Sequence, residues 1–267
     1  MTAFLAATRY ELRMQLRRPA LWVTYALLLV VLAAFSGLLS IWHETDPKIA
    51  MVRTAISEEI PLPVGFAFLL ADRMVRDVRL DVADLLDAAP ASGLGRLLGK
   101  YTGSGLATAA PIAAIYFGYA ISYAVAHRSA AALVWAPAVF ATVLAPGLAV
   151  AGALAVCLPS VVPPPVFRTL FVGFWVWSSW LIPATAVPTL AQTVLSPTNG
   201  YPLEVFFGYH GSHGGTDLWA GPAPGATLNA LRPAPEVATA GLSMALLLAS
   251  AAAVLALTHV LRTRPAR

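Results

Sequence analysis

Charge is what this sequence has least of. Only 11% of its residues are Asp, Glu, Lys or Arg, where soluble domains carry about a quarter. That scarcity excludes a soluble domain of normal surface polarity. The 58% hydrophobic content and a mean hydropathy of +0.73 point the same way. Cysteine is nearly missing too. Cys157 stands alone, so neither an internal disulfide nor a multi-thiolate metal site can form, and it reads as a small buried apolar residue. The net charge of +4 raises nucleic acid as a partner, but the basic residues gather into no binding face, and nucleic acid is set aside. A phosphate-binding loop is also lacking. Gly95-Arg96-Leu97-Leu98-Gly99-Lys100-Tyr101 has too few residues between its glycines and ends in Tyr where Ser or Thr must hold magnesium. The chain is therefore read as binding no cofactor of its own.

What the sequence has is long apolar runs. Residues 20–41, 101–126, 129–167, 169–203 and 237–258 are uncharged, and a shorter run covers 60–71. A helix needs roughly 20 apolar residues to cross the hydrocarbon core, and in lipid the backbone must satisfy its own hydrogen bonds. The expected fold is all-α: a polytopic membrane protein in the lipid bilayer, one transmembrane domain over 1–267. Its spans are placed at 20–41, 52–72, 101–126, 131–157, 168–190 and 237–261. The first apolar run is about twice a secretory h-region and more follow it, so it is read as retained.

Orientation follows from the basic residues. With the N-terminus inside, thirteen of the seventeen face the cytoplasm: Arg9, Arg13, Arg17, Arg18, Arg73, Arg76, Arg79, Arg96, Lys100, Arg168, Arg262, Arg264 and Arg267. Lys48, Arg53, Arg128 and Arg232 are left outside. This positive-inside bias places both termini in the cytoplasm of a cell-membrane protein.

Residues 2–18 read as an amphipathic elbow with Leu5, Leu12 and Leu16 on one stripe and Arg9, Arg13 and Arg17 beside it, near anionic headgroups. Pro19 breaks it. Span two is short and carries Glu58 and Glu59 in its outer half beside Pro61 and Pro63. Such carboxylates face a cavity or a wet vestibule, or pair with Arg53. Residues 73–100 read as a cytoplasmic segment. Val75, Val78, Val82, Leu85 and Leu86 form its apolar face, Arg73, Arg76, Asp77, Asp81, Asp84 and Asp87 the polar one, and Pro90 closes the helix. That pattern suits docking on a cytosolic partner or lying solvated at the interface. Span four carries Ala145, Gly147, Ala149, Ala151 and Gly152, and span six Gly241, Ala245, Ala249 and Ala253, both read as helix-packing positions. Span five shows Phe167, Phe171 and Phe174 at helical spacing with Trp175, Trp177 and Trp180. The stretch 192–236 reads as a large outer loop with a short interfacial or re-entrant helix at 201–209. Its His210 and His213 lack the further ligands a metal would need.

Two stretches carry a family resemblance: Ala7-Thr8-Arg9-Tyr10-Glu11-Leu12-Arg13 before span one, and Asp84-Leu85-Leu86-Asp87-Ala88-Ala89-Pro90 followed by Leu97-Leu98-Gly99-Lys100. With the large loop before span six, the chain resembles the six-helix, exporter-type (type-2) permease subunits of ABC transporters. The resemblance implies a dimer with a second permease, identical or related, each docked on a separate cytosolic ATPase that holds ATP and Mg. The coupling residues would be Arg73, Arg76, Asp77, Arg79, Asp81, Asp84, Asp87 and Pro90, braced by the elbow. The cavity would be lined by Gly65, Phe66 and Leu69 on span two and Phe171, Phe174 and Trp175 on span five, with Glu58 and Glu59 above. The chain itself would be no enzyme. Two alternatives stay open: a non-transporting anchor or assembly subunit, as for metalloenzyme maturation, and an intramembrane enzyme using Glu58, Glu59 or His259.

Overall fold

A computed structural model describes residues 3–35, 43–73, 75–76, 92–179, 188–209 and 229–263, and every regular element among them is a helix. Three helices are long and apolar enough to cross a membrane, Gly93–Ala126, Ala131–Ser160 and Val237–Arg262; the pair Phe4–Leu16 and Pro19–Leu32, bent by 61°, makes a fourth if taken as one span. By helix composition this is a multi-pass helical membrane protein.

Helices α1 (Ala3–Leu16) and α2 (Pro19–Phe35) meet at the elbow that Pro19 predicts. Proline removes an N–H and disfavours α geometry in Arg18 before it, so α1 stops and α2 starts afresh with Pro at its first position. The Trp22 indole donates to the Leu16 carbonyl at 3.0 Å, capping one of the acceptors freed at the bend.

The long helix α5 (Gly93–Ala126) starts earlier than the expected 101, because the Ser92 hydroxyl accepts from the Gly95 amide at 3.1 Å and caps it. Residues 93–100, assigned above to the cytoplasmic segment, are thus its first two turns, and the glycine-rich stretch there is helix rather than loop. At its 34 residues α5 reaches about 50 Å and overshoots a ~30 Å core. Helix α1 lies against this overshoot. A Cβ on Gly99 would sit 2.6 Å from the Ala7 Cβ, and one on Gly103 would strike the Thr8 carbonyl oxygen and come within 2.8 Å of the Glu11 Cβ. The backbones touch because those side chains are absent.

Close approach also decides which face of α1 turns inward. It is the polar stripe Thr8, Glu11 and Gln15, between the arginines and the leucines. The Thr8 and Thr102 hydroxyls share a hydrogen bond of 3.1 Å, Gln15 Nε2 donates to Thr108 Oγ1 at 3.0 Å, and Leu5 is left exposed. Between apolar helices in lipid, tight backbone contact and hydrogen bonds outweigh greasy area, since the lipid is as apolar as leucine.

The expected second span is two helices, α3 (Pro47–Glu58) and α4 (Pro61–Leu70), broken at Glu59-Ile60. Asp46 caps α3, accepting from the Lys48 amide at 2.8 Å, which sets its start before 52. Pro61 cannot continue α3, so α4 begins there; its 10 residues cover only ~15 Å. Tyrosines of α5 hold the first half: Tyr116 donates to the Met51 carbonyl at 3.3 Å and Tyr123 to the Glu44 carbonyl at 2.7 Å.

Helices α6 (Ala131–Val139) and α7 (Ala145–Cys157) run on through a π-turn at Phe140–Leu144. Pro146 has no N–H for the Thr142 carbonyl four residues back, which frees that acceptor and favours the bulge. Asn199 fills the gap, its Nδ2 donating to the Thr142 and Val143 carbonyls at 3.2 Å each. The segment carrying Asn199 lies in the bundle, not in the large outer loop expected. Thr189, Thr193, Ser196 and Asn199 are all buried, and Gly147 lets the Pro197 carbonyl approach α7. Helix α9 (Gly200–Phe207) follows, matching the short helix foreseen there, with Tyr201 and Leu203 buried.

Helix α8 (Pro164–Ser179) turns Phe167, Phe171 and Trp175 inward. Its expected continuation to 190 does not hold, since residues 188–190 are not helical. Helix α10 (Val237–Thr263) packs mainly on α7 through Ala240, Ser243, Leu247, Ala251, Leu255 and Thr258. The expected packing stripe Gly241, Ala245, Ala249 and Ala253 faces outward instead. Two cores result. One joins α2, α4, α7, α8 and α10 around Phe66, Phe171 and Trp175; the other joins α3, α5, α6 and α9 around Met51, Tyr116 and Phe207.

Candidate functional site

The α3–α4 break sits between the two cores and carries the residues of greatest chemical interest. Glu58 is 1% exposed, and both its carboxylate oxygens lack a hydrogen-bond donor; Glu59 is also buried, with Oε1 unmet. These carboxyls are not wet. Nor does Arg53 reach them: it pairs with Glu44 at 3.4 Å, on the far side of α3. Around the break, Trp175 Nε1 donates to the Glu59 backbone carbonyl at 3.0 Å, and Trp175 stacks on Phe171 at 5.3 Å between centroids. One indole thus pins the break to α8.

The other cavity candidates do not border open space within the single chain. Phe66, Phe171 and Trp175 are core, with Phe66 against the Gly152 backbone of α7. Gly65 faces α2 through Leu28 and Thr24, rather than α8. Leu69 and Phe174 are half-buried. Aromatic area this large is best satisfied by packing, and the helices have room for it.

A second constellation gathers at the arginine-rich end. Arg73, 1% exposed, forms an ion pair with Glu11 at 3.5 Å, and Lys100 Nζ donates to the Arg73 backbone carbonyl at 3.3 Å. Burial first, and then the neighbouring Arg18, pull the Arg73 guanidinium down to about 10, with Glu11 opposing. Arg168 binds Asp72 at 2.7 Å and reaches the Phe68 carbonyl at 3.4 Å, tying α8 to the end of α4. Arg76 donates to Met14 Sδ at 3.1 Å. Beside it an open groove of about 660 Å³ is lined by Ala6, Arg9, Tyr10, Arg13, Met14 and Arg17.

Of the coupling candidates, Arg73 is therefore an internal strut and Arg76 leans on α1. Asp77, Arg79, Asp81, Asp84, Asp87 and Pro90 lie outside the described residues, as do His210, His213 and Trp180. Cys157 is buried and unpaired. Sequence reasoning missed Glu11, Asp72, Lys100 and Arg168 as a set. The available signal was that Asp72, Lys100 and Arg168 each stand at the edge of an apolar run. It also missed Asn199, whose only hint was Pro146, a helix proline that frees a distant carbonyl.

No family model matches the chain, and neither curated proteins nor solved structures yield a match.

Proposed function

We propose that this chain is the permease subunit of an exporter-type ABC transporter: six spans in the cell membrane, both termini cytoplasmic, paired with a second permease and driven by a separate cytosolic ATPase. The observation that carries this reading is the elbow. Helix α1 is bent 61° from α2 and runs alongside the first turns of α5, from Thr8 at Thr102 to Gln15 at Thr108, with its arginines outward. That end also holds the Glu11–Arg73 and Asp72–Arg168 pairs, so a push delivered beside residue 76 would pass into α1, α5 and α8 together. Such a stiff charged end is what an ATPase-driven permease needs to carry motion into its spans. The acidic segment that begins at Asp77 is the proposed contact, through Asp81 and Asp84.

The test is co-purification: a cytosolic ATPase should be recovered with the tagged chain from the membranes of its own host. Reversing both residues (Asp81→Lys with Asp84→Lys) should cut ATPase recovery at least tenfold while the permease still inserts into the membrane. Full recovery and activity would place the contact elsewhere, and catalytic turnover by the chain alone would favour the enzyme alternative.

The dimer axis is proposed along α8. Phe167, Phe171 and Trp175 are buried within the chain, so the face left for a partner is that of Leu170 and Gly173; Leu170 is 60% exposed, and a side chain added at Gly173 would meet open space. Single cysteines there should cross-link between permeases, whereas cysteines at Phe171 should not. Equal cross-linking from both positions would remove α8 from the axis.

A further inference from the structure

The carboxyl of Glu58 has a use that neither packing nor cargo binding explains. It lies 13 residues before Ala71, so about 20 Å along the helices from the arginine-rich end, which is membrane depth. The break around it offers no amide to an anion. The exposed N–H groups that open a helix are the natural partners of a carboxylate, but Pro61 and Pro63 take two of the first three of these from α4. The side facing Glu58 is instead the carbonyl end of α3, where the helix dipole is negative.

The surrounding elements supply no cation either. Helices α4 and α6 and the π-turn bear no titratable side chain. Helix α5 presents Tyr116, close enough to feel the Glu58 charge, but its hydroxyl is donated to the Met51 carbonyl. Helix α9 brings Tyr201, whose hydroxyl goes to the Pro233 carbonyl, and another acid, Glu204. On α3 itself Arg53 is engaged by Glu44, and Lys48 lies over the Trp135 ring at 6.0 Å. Among the described residues no group of three His, Cys, Asp or Glu forms that could hold a metal. With both oxygens unmet and no such group to hold a metal, a proton is the cation that Glu58 by itself can bind.

We propose that Glu58 is an intramembrane proton-binding residue, its carboxyl held protonated at the break in the second span, where no described residue supplies a donor or a counter-ion. The proposal rests on the bilayer location alone and not on an ATPase or a cargo, so failure of the permease reading leaves it standing.

The experiment treats the full-length protein in lipid vesicles with dicyclohexylcarbodiimide, an apolar reagent that adds to protonated carboxyls. Digestion after Arg53 and Arg73 yields one peptide carrying both glutamates, and fragmentation separates them. The expected result is an adduct on Glu58 whose yield changes less than twofold between pH 5 and pH 8, where a solvated carboxyl would lose about a thousandfold of its protonated form. Sodium at high concentration should not protect it. The infrared carbonyl band of a protonated carboxyl at pH 7 should be present in the wild type and in Glu59→Gln, and weaker in Glu58→Gln. A carboxylate band for Glu58 at pH 7 would overturn the proposal, whatever the labelling gives. Protection by sodium would overturn it in favour of a metal-cation site.

Discussion

Glu11→Ala should lower the stability of the folded protein by about 3–5 kcal/mol, the largest effect expected of any single substitution at the arginine-rich end. Arg73 is 1% exposed and Glu11 9% by side chain, so removing the carboxylate leaves a guanidinium buried with no opposite charge in contact. Arg18 makes matters worse, since it already works with burial to lower the affinity of Arg73 for its proton. Arg73→Ala should also destabilise, because Glu11 would lose its ion pair. The pair as a whole is a different matter. Two desolvated ions regain by attraction only about what they lose in hydration, so Glu11→Leu combined with Arg73→Met should return close to wild-type stability. Thermal unfolding in detergent, followed by circular dichroism, checks this. Single substitutions that stay within about 1 kcal/mol of the wild type would mean that the pair is wet in solution.

The fold was legible in the sequence wherever the message was length. Uncharged runs of 20 residues or more place α2, the α6–α7 helix and α10, and all of α5 but its first two turns, because an apolar run this long satisfies its backbone in lipid as a helix. The break in span two was legible in Pro61 and Pro63. Which face of each helix packs was not legible. Outside a membrane, periodicity sorts core from solvent; here lipid and core are both apolar, and the period is nearly silent. Thus α10 buries the stripe of Leu247, Ala251 and Leu255 and leaves Ala245, Ala249 and Ala253 outside. The same physics misled the reading of 192–236. Thr193, Ser196 and Asn199 resemble loop residues by composition, yet they are buried because hydroxyls and amides are what the bundle needs where proline has freed a carbonyl. At the charged sites, the sequence offered Arg53 as a partner of Glu58 and Glu59, five and six residues along the chain. Glu44, far off in the chain's preceding loop, holds it instead.

Asn199→Ala should be nearly as damaging as loss of the Glu11–Arg73 pair, and for two separable reasons. The first is hydrogen bonding. The Asn199 amide serves the Thr142 and Val143 carbonyls in the π-turn, and its Oδ1 lies 3.5 Å from the Ser243 hydroxyl of α10. Alanine strands those acceptors in a buried site, at about 1–3 kcal/mol. The second is backbone strain. Asn199 sits at φ 46° and ψ 47°, a left-handed conformation that asparagine tolerates and alanine resists by about 1–2 kcal/mol. Asn199→Gly removes the hydrogen bonds without the strain, so it should recover that second part and no more. Asn199→Asp should be worse than either, since it swaps the donor for a charge that two carbonyls repel. The order Gly, Ala, Asp in falling thermal stability is therefore the expected series. Amide hydrogen exchange at 140–147 should quicken in all three, because the π-turn loses the side chain that holds it. If alanine and glycine prove equal, the strain contributes nothing, and if exchange at the π-turn is unchanged in the glycine variant, Pro146 and packing alone maintain the bulge.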